Sequence, residues 1–385
     1  MIIEPKVRGF ICTTAHPVGC KSNVKRQIDY VKTQGKVSSG PKKVLVIGAS
    51  TGYGLASRIC ASYACGAGTI GVMFEKEATS RRTATPGFYN TKAFEEFATA
   101  DGMIAKSING DAFSQEIKQQ TIDLIKQEFG KVDMVIYSLA SPRRTAPDGV
   151  TYTSTLKTVG DDFTNKSLNL RTNEVELATI GPATQDEIDS TVKVMGGEDW
   201  MLWMDALKEA DVLEKDALTI SYSYIGPKLT YPVYYQGTIG LAKKDLYETS
   251  KKINEKYPDI RAYVSINKAL VTQASAAIPI VPLYMCIMYK VMKEKGIHEG
   301  CIEQIYRLFH DRLTDDAIPT DEEGRIRLDD YELRDDVQEQ IMKYWDIVNT
   351  ENLKECADID GYWNDFYQMF GFRFDHVDYS ADVEI

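Results

Sequence analysis

Two tyrosines and two lysines at a repeated spacing are the side chains of this sequence best suited to acid–base chemistry. Tyr234 and Tyr235 stand just before a Gly-Thr-Ile-Gly segment at 237–240, and Lys243 and Lys244 follow that segment. A phenol can donate a hydrogen bond to an oxygen that gains charge in a reaction, and a nearby ammonium group lowers the pKa of the phenol. The four residues therefore predict a tyrosine–lysine catalytic pair.

The spacing limits where the tyrosine can lie. Each tyrosine stands nine residues before its lysine, and nine residues of α-helix turn through about 900°, which puts the two side chains on opposite faces. The pair can meet only if the tyrosine lies on the loop before the helix, as Gly237 and Gly240 suggest. The sequence leaves two alternatives open, because the spacing is the same in both pairs.

A strand–turn–helix–strand pattern comes earlier in the chain. It consists of a β-branched apolar strand, a turn with three glycines, a helical pattern and a second apolar strand: 44–47, 48–54, 55–63 and 69–74. Glu75 stands at the end of the second strand. This order, with an acid after the second strand, predicts the first half of a dinucleotide-binding fold.

Each residue type in this pattern has a physical role. Glycines let backbone amides and a helix N-terminus approach a pyrophosphate. Glu75 can bind the adenosine ribose diol and would repel a 2′-phosphate, which predicts NADH rather than NADPH. The predicted cofactor contacts of this region are Gly48, Ala49, Ser50, Thr51, Gly52, Tyr53, Gly54, Phe74 and Glu75.

Two further strand ends are expected beside the cofactor. Asp111 and Ala112 follow the predicted third strand at 105–109, and a role of Asp111 as a helix N-cap is the open alternative. Small residues follow the fourth strand at 132–137, where the backbone can approach the cofactor closely. These residues are Ser138, Leu139 and Ala140.

The remaining pattern predicts one large α/β domain over residues 1–385. We divide it into an N-terminal hairpin and helix (1–42), a dinucleotide-binding half (43–143), an insertion over the active site (144–200), and a catalytic half with C-terminal helices (201–385). Within the last part we expect a buried, methionine-rich helix at 276–293, a small hairpin at 321–328 and an aromatic tail at 361–371.

Composition excludes several functional classes. The formal net charge of −11 argues against nucleic-acid binding. No apolar run reaches membrane-spanning length, and the N-terminus lacks a signal-peptide pattern. Seven dispersed cysteines predict free thiols in a reducing cytoplasm. His298-Glu299 lacks the second histidine of a zinc-binding helix, since Ile302 stands in its place, and we expect no metal.

Several segments resemble one family over essentially the whole chain. They are Gly-Ala-Ser-Thr-Gly-Tyr-Gly-Leu-Ala-Ser-Arg (48–58), Tyr-Ser-Leu-Ala-Ser-Pro (137–142), Val-Met-Gly-Gly-Glu-Asp-Trp (194–200), Tyr-Ser-Tyr-Ile-Gly-Pro (222–227), Gly-Thr-Ile-Gly (237–240) and Val-Thr-Gln-Ala-Ser-Ala-Ala-Ile-Pro (271–279). Together they are similar to the bacterial trans-2-enoyl-CoA reductase / V-type enoyl-acyl-carrier-protein reductase family. The resemblance implies a Rossmann-type, doubly wound parallel sheet like that of short-chain dehydrogenases.

The resemblance also implies roles for matching residues. Tyr234 matches the catalytic tyrosine, Lys243 the lysine that holds the nicotinamide ribose and lowers the pKa of Tyr234, and Tyr224 the substrate-side tyrosine. Leu270, Val271 and Thr272 match the loop at the nicotinamide end.

The implied reaction is the NADH-dependent reduction of the C2=C3 bond of a trans-2-enoyl thioester by a monomer. The thioester carrier stays open between CoA and acyl carrier protein. Arg81-Arg82 and Arg143-Arg144 are candidate basic patches for either carrier.

Two rival functions would leave a different pattern in the sequence. A carbonyl-reducing short-chain dehydrogenase would have its tyrosine and lysine four positions apart on one helix face, which this sequence does not show. A non-catalytic sensor that binds NADH would not need an intact tyrosine and lysine. Both rivals are therefore less favoured than the reductase.

Overall fold

The computed structural model describes residues 1–8, 11–139, 141–272, 275, 278–313 and 317–385. The strands in chain order are β1 (Val7–Arg8), β2 (Ile11–Cys12), β3 (Lys43–Ile47), β4 (Gly68–Met73), β5 (Ala105–Asn109), β6 (Val132–Tyr137), β7 (Arg143–Thr145), β8 (Thr151–Thr153), β9 (Phe163–Asn169), β10 (Glu174–Ile180), β11 (Leu213–Ser223), β12 (Ile260–Ile266) and β13 (Ile326–Arg327).

Helices alternate with the main strands. They are α1 (Pro17–Gln34), α2 (Gly52–Tyr63), α3 (Pro86–Ala100), α4 (Gln115–Glu128), α5 (Gln185–Met195), α6 (Glu198–Glu209), α7 (Thr238–Lys256), α8 (Val281–Glu294), α9 (Cys301–Arg307), α10 (Asp335–Ile347), α11 (Leu353–Cys356) and α12 (Ile359–Met369). A short π-helical turn, Leu308–Arg312, continues α9.

Seven strands form one central parallel sheet in the order β5-β4-β3-β6-β11-β12-β13. The strand order reverses between β3 and β6, which are neighbours in the sheet but are separated by two strands in the chain. Ligands of open α/β sheets bind outside the carboxyl ends of the strands at such a reversal. The predicted Rossmann-type doubly wound sheet is confirmed.

Both faces of the sheet are covered by helices, as the alternation along β3 shows. Val44 and Val46 pack into an apolar cluster with residues of α1, α2, α3 and α9. Leu45 and Ile47 point to the other face and pack with residues of α4, α6 and α7. Because a strand of a doubly covered sheet is buried on both sides, its sequence reads as an unbroken apolar run.

A third apolar cluster lies beyond the sheet and contains Tyr234. It is formed by α8, α10 and α12, with Leu168 of β9 and Ile180 of β10. Every residue of α8 from Val281 to Tyr289 is buried, which confirms the expected buried helix; residues 276 and 277 lie outside the described part. The predicted aromatic tail at 361–371 is mostly helix α12.

The segment at 144–200 forms two antiparallel hairpins, β7–β8 and β9–β10, followed by α5. The second hairpin is fastened to the C-terminal helices, because Lys166 Nζ donates to the carbonyl oxygens of Trp345 (2.7 Å) and Val348 (3.1 Å). The sequence reading missed α5, although a Thr184–Glu187 capping box marks its start.

The predicted hairpin at 321–328 is wrong. Ile326 and Arg327 pair parallel with Ser265 and Ile266 and form the edge strand of the main sheet. The residues before them make a tight turn, closed by the Gly324 amide on the carbonyl oxygen of Asp321 (2.9 Å). A parallel edge strand of two residues is too short to carry a periodic pattern.

At the N-terminus, β1 and β2 pair as an antiparallel hairpin with Val7 opposite Cys12, and predicted hairpin residues 9–10 lie outside the described part. All seven cysteines are free thiols, and six of them are buried. Within the described ranges, we find no helix with both the length and the apolar content needed to span a bilayer.

Candidate active site

The glycine turn brings the start of α2 to the carboxyl end of β3. The amides of Gly48 and Ala49 both donate to the carbonyl oxygen of Val72, at 2.9 and 3.0 Å. A Cβ on Gly54 would collide with the carbonyl oxygen of Gly48, so only glycine allows this tight approach. The free amides of a helix N-terminus bind anions, so this turn fits the pyrophosphate of a dinucleotide.

Glu75 is held beside the glycine turn by its backbone and by its side chain. Its amide donates to Oδ1 of Asn109 (2.8 Å), whose Nδ2 donates to the carbonyl oxygen of Glu75 (3.0 Å). The carboxylate accepts a hydrogen bond from Oγ of Ser50 (2.6 Å) and is half-buried. The neighbouring Phe74 is 77% exposed. This placement suits recognition of the ribose at the end of β4.

The other predicted cofactor residues line the same edge of the sheet. Asp111 accepts the amide of Phe113 (3.0 Å), whereas Ser114 is the N-cap of α4. The N-cap alternative for Asp111 is therefore wrong, and its contact with the cofactor stays a prediction. The amide of Ser138 donates to the carbonyl oxygen of Ile47 (2.8 Å).

Three further residues were predicted to contact the cofactor: Tyr53, Ala140 and Val271. Ala140 lies outside the described residues. The hydroxyl of Tyr53 donates to the carbonyl oxygen of Lys268 (2.9 Å), so its ring is tied to the loop after β12. In that loop the amide of Val271 donates to the hydroxyl of Tyr289 (3.2 Å).

The tyrosine pair lies on the loop before α7, as the nine-residue spacing required. Helix α7 begins at Thr238, after Tyr234 and Tyr235. A Cβ on Gly240 would collide with the carbonyl oxygens of both tyrosines. This glycine therefore lets the loop fold back onto the first turn of the helix that carries the lysines.

Burial separates the two tyrosine–lysine pairs. Tyr234 is 9% exposed, and its ring contacts the edge of the Tyr224 ring at a centroid distance of 4.8 Å. Tyr235 is 46% exposed and packs on Tyr231 instead. Lys243 is half-buried, with Nζ 3.3 Å from the carbonyl oxygen of Tyr222, while Lys244 is exposed.

The protein environment shifts the pKa of each inner group. Burial is the main cause that raises the pKa of Tyr234, and the charge of Glu332 adds to it. This direction is opposite to the lowering expected from Lys243. Burial also raises the pKa of Tyr224, and it lowers the pKa of Lys243 to about 8. Near pH 7 both phenols are therefore protonated donors and Lys243 is mostly charged.

A buried network behind Tyr224 escaped the sequence reading. Glu332 is fully buried and accepts hydrogen bonds from the hydroxyls of Tyr224 (2.9 Å) and Tyr284 (2.7 Å). Lys268 is buried nearby at 2% exposure. No local motif signals this network, because Tyr224 and Glu332 are 108 residues apart in the chain.

Three family models match the chain in sequence. One described as the trans-2-enoyl-CoA reductase catalytic region matches residues 82–314. One described as the NAD(P)H binding domain of trans-2-enoyl-CoA reductase matches residues 2–80. The chain belongs to the trans-2-enoyl-CoA reductase family. The third model, described as the enoyl reductase FAD binding domain, matches residues 320–383.

Relatives of this family match the chain over its full length. A trans-2-enoyl-CoA reductase [NADH] of Ruminiclostridium cellulolyticum is 57% identical over 388 residues, covering 100% of this chain and 98% of the relative. An enoyl-[acyl-carrier-protein] reductase [NADH] of Cytophaga hutchinsonii is 58% identical over 387 residues, covering 100% and 98%.

The fold is that of a solved relative. The structure of Clostridium acetobutulicum trans-2-enoyl-CoA reductase in complex with NADH matches with a TM-score of 0.97 and 47% identity, covering 100% of this chain and 98% of that one. Together the matches confirm the predicted family, and with it the oxidoreductase class and the nicotinamide cofactor.

The segment that matches the FAD-binding model does not fit a flavin in this structure. All of 320–383 is described, and it contains only the two-residue strand β13 and helices α10 to α12, without a strand–glycine turn–helix unit. The apolar side chains of these helices fill the cluster around α8 rather than line a cleft: Val337, Ile341, Trp345, Tyr362 and Phe366.

Proposed function

We propose that this chain reduces trans-2-enoyl thioesters to saturated acyl thioesters with NADH. The observation that carries the proposal is the ring contact between half-buried Tyr224 and buried Tyr234, just before the start of α7. Both lie in the connection between β11 and α7, which starts at the carboxyl edge of the sheet, where ligands of this fold bind. Two adjacent phenolic donors suit an oxygen that gains negative charge.

The proposed cofactor site consists of the glycine turn, Glu75 and Lys243. The amides at the start of α2 bind the pyrophosphate, and Glu75 accepts hydrogen bonds from the adenosine ribose diol. Lys243 donates to the nicotinamide ribose. When bound, NADH supplies the hydride that adds to the β-carbon of the enoyl thioester.

Tyr234 and Tyr224 stabilise the charge that the addition creates. As the β-carbon gains hydride, the electron pair of the double bond moves toward the thioester carbonyl and negative charge collects on its oxygen. A buried phenol with a raised pKa keeps its proton and donates a strong hydrogen bond to that oxygen. Tyr234 is the principal donor and Tyr224 the second. The enolate then takes up a proton at the α-carbon.

We infer that the segment at 144–200 covers the site of the acyl chain. Leu168 and Ile180 of its second hairpin belong to the same apolar cluster as Tyr234 and Val233. Met285 and Met288 of α8 lie in that cluster as well, and flexible thioether side chains suit an adaptable apolar wall. We infer that the acyl chain lies against this cluster.

The basic patches differ in their availability to a thioester carrier. Arg144 is buried and forms an ion pair with Glu198 (2.7 Å), so it cannot reach a carrier. Arg81, Arg82 and Arg143 are exposed. We propose these three arginines as contacts for the phosphates of CoA or the acidic surface of an acyl carrier protein.

The cellular setting is part of the same proposal. Free, mostly buried thiols fit a reducing compartment, and we propose a cytoplasmic enzyme that works as a monomer. Light scattering during size-exclusion chromatography tests the monomer, since a dimer would elute with twice the mass.

Oxidation of NADH in the presence of crotonyl-CoA tests the function directly. We expect a fall in absorbance that depends on both compounds, with butyryl-CoA as the product. Turnover of acetoacetyl-CoA but not of crotonyl-CoA would instead identify a carbonyl reductase. Tight binding of NADH without turnover of either thioester would identify a sensor.

A further inference from the structure

We propose that Glu332 is a positioning residue that controls the direction of the hydrogen bond made by Tyr224. This inference rests on the proposed function, because it concerns the donor that faces the thioester oxygen. Glu332 comes five residues after β13, in the C-terminal segment. It is fully buried, and both of its oxygens have partners.

Hydrogen-bond geometry restricts where a proton on Glu332 can lie. Oε2 accepts the amide of Ala269 at 2.8 Å, and an amide can only donate. Oε1 faces the hydroxyls of Tyr224 (2.9 Å) and Tyr284 (2.7 Å). A proton on the carboxyl group therefore belongs on Oε1, between the two phenols.

Tyr224 is a better acceptor than Tyr284 for a hydrogen bond from the proton on Oε1. Nε2 of Gln338 lies 3.3 Å from the Tyr284 hydroxyl and also donates to the carbonyl oxygen of Glu332 (2.7 Å). Since Tyr284 already accepts from this amide, its own proton points to Glu332. The proton on Oε1 is then donated to Tyr224.

Tyr224 therefore has two hydrogen-bonding states, which depend on whether Glu332 is ionised or protonated. When Glu332 is ionised, the Tyr224 hydroxyl donates its only proton to the carboxylate. It then has only lone pairs to present to a thioester oxygen. When Glu332 is protonated, Tyr224 accepts from Glu332 and its own proton is free for the substrate. Burial raises the pKa of Glu332, which favours the second state.

The pKa of Glu332 also depends on the charged and titratable groups around it. Lys268 opposes its protonation, because an ammonium group nearby lowers the pKa of the carboxyl. Burial in turn lowers the pKa of Lys268 to about 8, which weakens that opposition at higher pH. The groups that face Glu332 from neighbouring elements are Tyr53, Tyr224, Tyr234, Lys268 and Tyr284.

Glu332→Gln separates the two states. The amide of Ala269 forces the glutamine oxygen to face it, so the glutamine NH2 faces both phenols. One of its hydrogens is donated to Tyr224, as by the protonated acid, and the other points to Tyr284, which must turn its own proton away. We expect kcat within about threefold of wild type near pH 7. In wild type, kcat should fall as pH rises through the pKa of Glu332, and Glu332→Gln should lack this decline. Glu332→Ala removes the partner that orients Tyr224 and should lower kcat by no more than Tyr224→Phe does, less than about tenfold, with the KM for NADH unchanged.

The decisive measurement is a double-mutant cycle on Tyr224 and Glu332, with NADH and crotonyl-CoA over a range of pH. If Glu332 acts through Tyr224, neither Glu332 substitution changes kcat further in a Tyr224→Phe background, and Tyr224→Phe alone also lacks the decline. Glu339→Gln, at an exposed position of the same segment, is the matched control and should behave as wild type.

Two results would overturn the inference. One is an unchanged pH profile in Glu332→Gln, and the other is an equal loss from Glu332→Ala with and without the Tyr224 hydroxyl, which would mean a purely structural role. If Glu332→Ala does not fold, the profile of Glu332→Gln decides alone. Failure of the proposed function is separate, because it would leave the wild-type protein inactive with crotonyl-CoA.

Discussion

The two ends of the proposed site are built in different ways. The nucleotide end comes from one continuous stretch, in which β3, a glycine turn, α2 and β4 lead directly to Glu75. The thioester end is assembled from side chains that are far apart in the chain: Tyr224, Tyr234, Lys268, Tyr284 and Glu332. The first is made mainly of backbone amides, and the second of buried ionisable side chains.

This difference indicates how each end tolerates change. Backbone amides at the start of α2 persist when a single side chain is replaced, so the nucleotide end should lose affinity in small steps. At the thioester end two hydroxyls face the reacting oxygen, and loss of the principal one, on Tyr234, leaves only the weaker donor. We therefore expect the largest losses of rate at the thioester end, and four substitutions test that contrast.

Tyr234→Phe should have the largest effect. The ring and its packing on Tyr224 remain, but the oxygen that gains charge loses its principal donor. One such donor is typically worth about 10²–10³ in kcat. Steady-state rates with crotonyl-CoA measure the loss, and NADH affinity should hardly change. Tyr235→Phe is the matched control at an exposed hydroxyl; if that variant is inactive and Tyr234→Phe is active, the pair is Tyr235 with Lys244.

Lys243→Met should come next, since it removes a charged hydrogen bond to the ribose. Such bonds contribute about 1.5–3 kcal/mol, so NADH binding should weaken roughly 10- to 100-fold. The wild-type affinity should also fall as pH rises through about 8, because Lys243 loses its charge there. Fluorescence titration with NADH checks both. A similar pH dependence in Lys243→Met would assign it to another group, and Lys244→Met should bind NADH normally.

Glu75 should give a smaller effect, confined to the choice of cofactor. A half-exposed carboxylate near a 2′-phosphate costs about 1–2 kcal/mol, so kcat/KM should favour NADH over NADPH roughly 5- to 30-fold. Glu75→Gln should reduce this ratio to a few-fold, whereas Glu77→Gln, the same charge change at an exposed position, should leave it unchanged. Equal kcat/KM for the two cofactors in the wild type would contradict the assignment of Glu75.

Tyr224→Phe should have the smallest effect of the four. Tyr234 remains as a donor to the same oxygen, and one neutral hydrogen bond contributes about 1 kcal/mol, so kcat should fall less than about tenfold. Rates with crotonyl-CoA measure it beside Tyr234→Phe. A loss equal to that of Tyr234→Phe would mean that the two hydroxyls act as one unit.

What could be predicted from the sequence follows the same division. The strand–turn–helix–strand unit was predicted closely, because its pattern depends on neighbours in the chain. The placement of Tyr234 before α7 was predicted too, because nine helical residues cannot align it with Lys243. The sequence spacing left Tyr234 and Tyr235 open, because a repeated spacing carries no information on the difference in their burial. Glu332 was missed, because only the fold brings it to Tyr224.

The position of β13 at the edge of the main sheet has a consequence for the time course of folding. In the nucleotide half, β3 pairs with β4 and β4 pairs with β5, each the next strand in the chain, whereas β13 docks on β12 only after residue 327 is available, with the Leu328 amide bonded to Ile266 (2.8 Å). Pairings between distant segments form slowly. As the chain leaves the ribosome, Glu332 therefore reaches Tyr224 late. During refolding, the ability to bind NADH should return before the ability to turn over substrate.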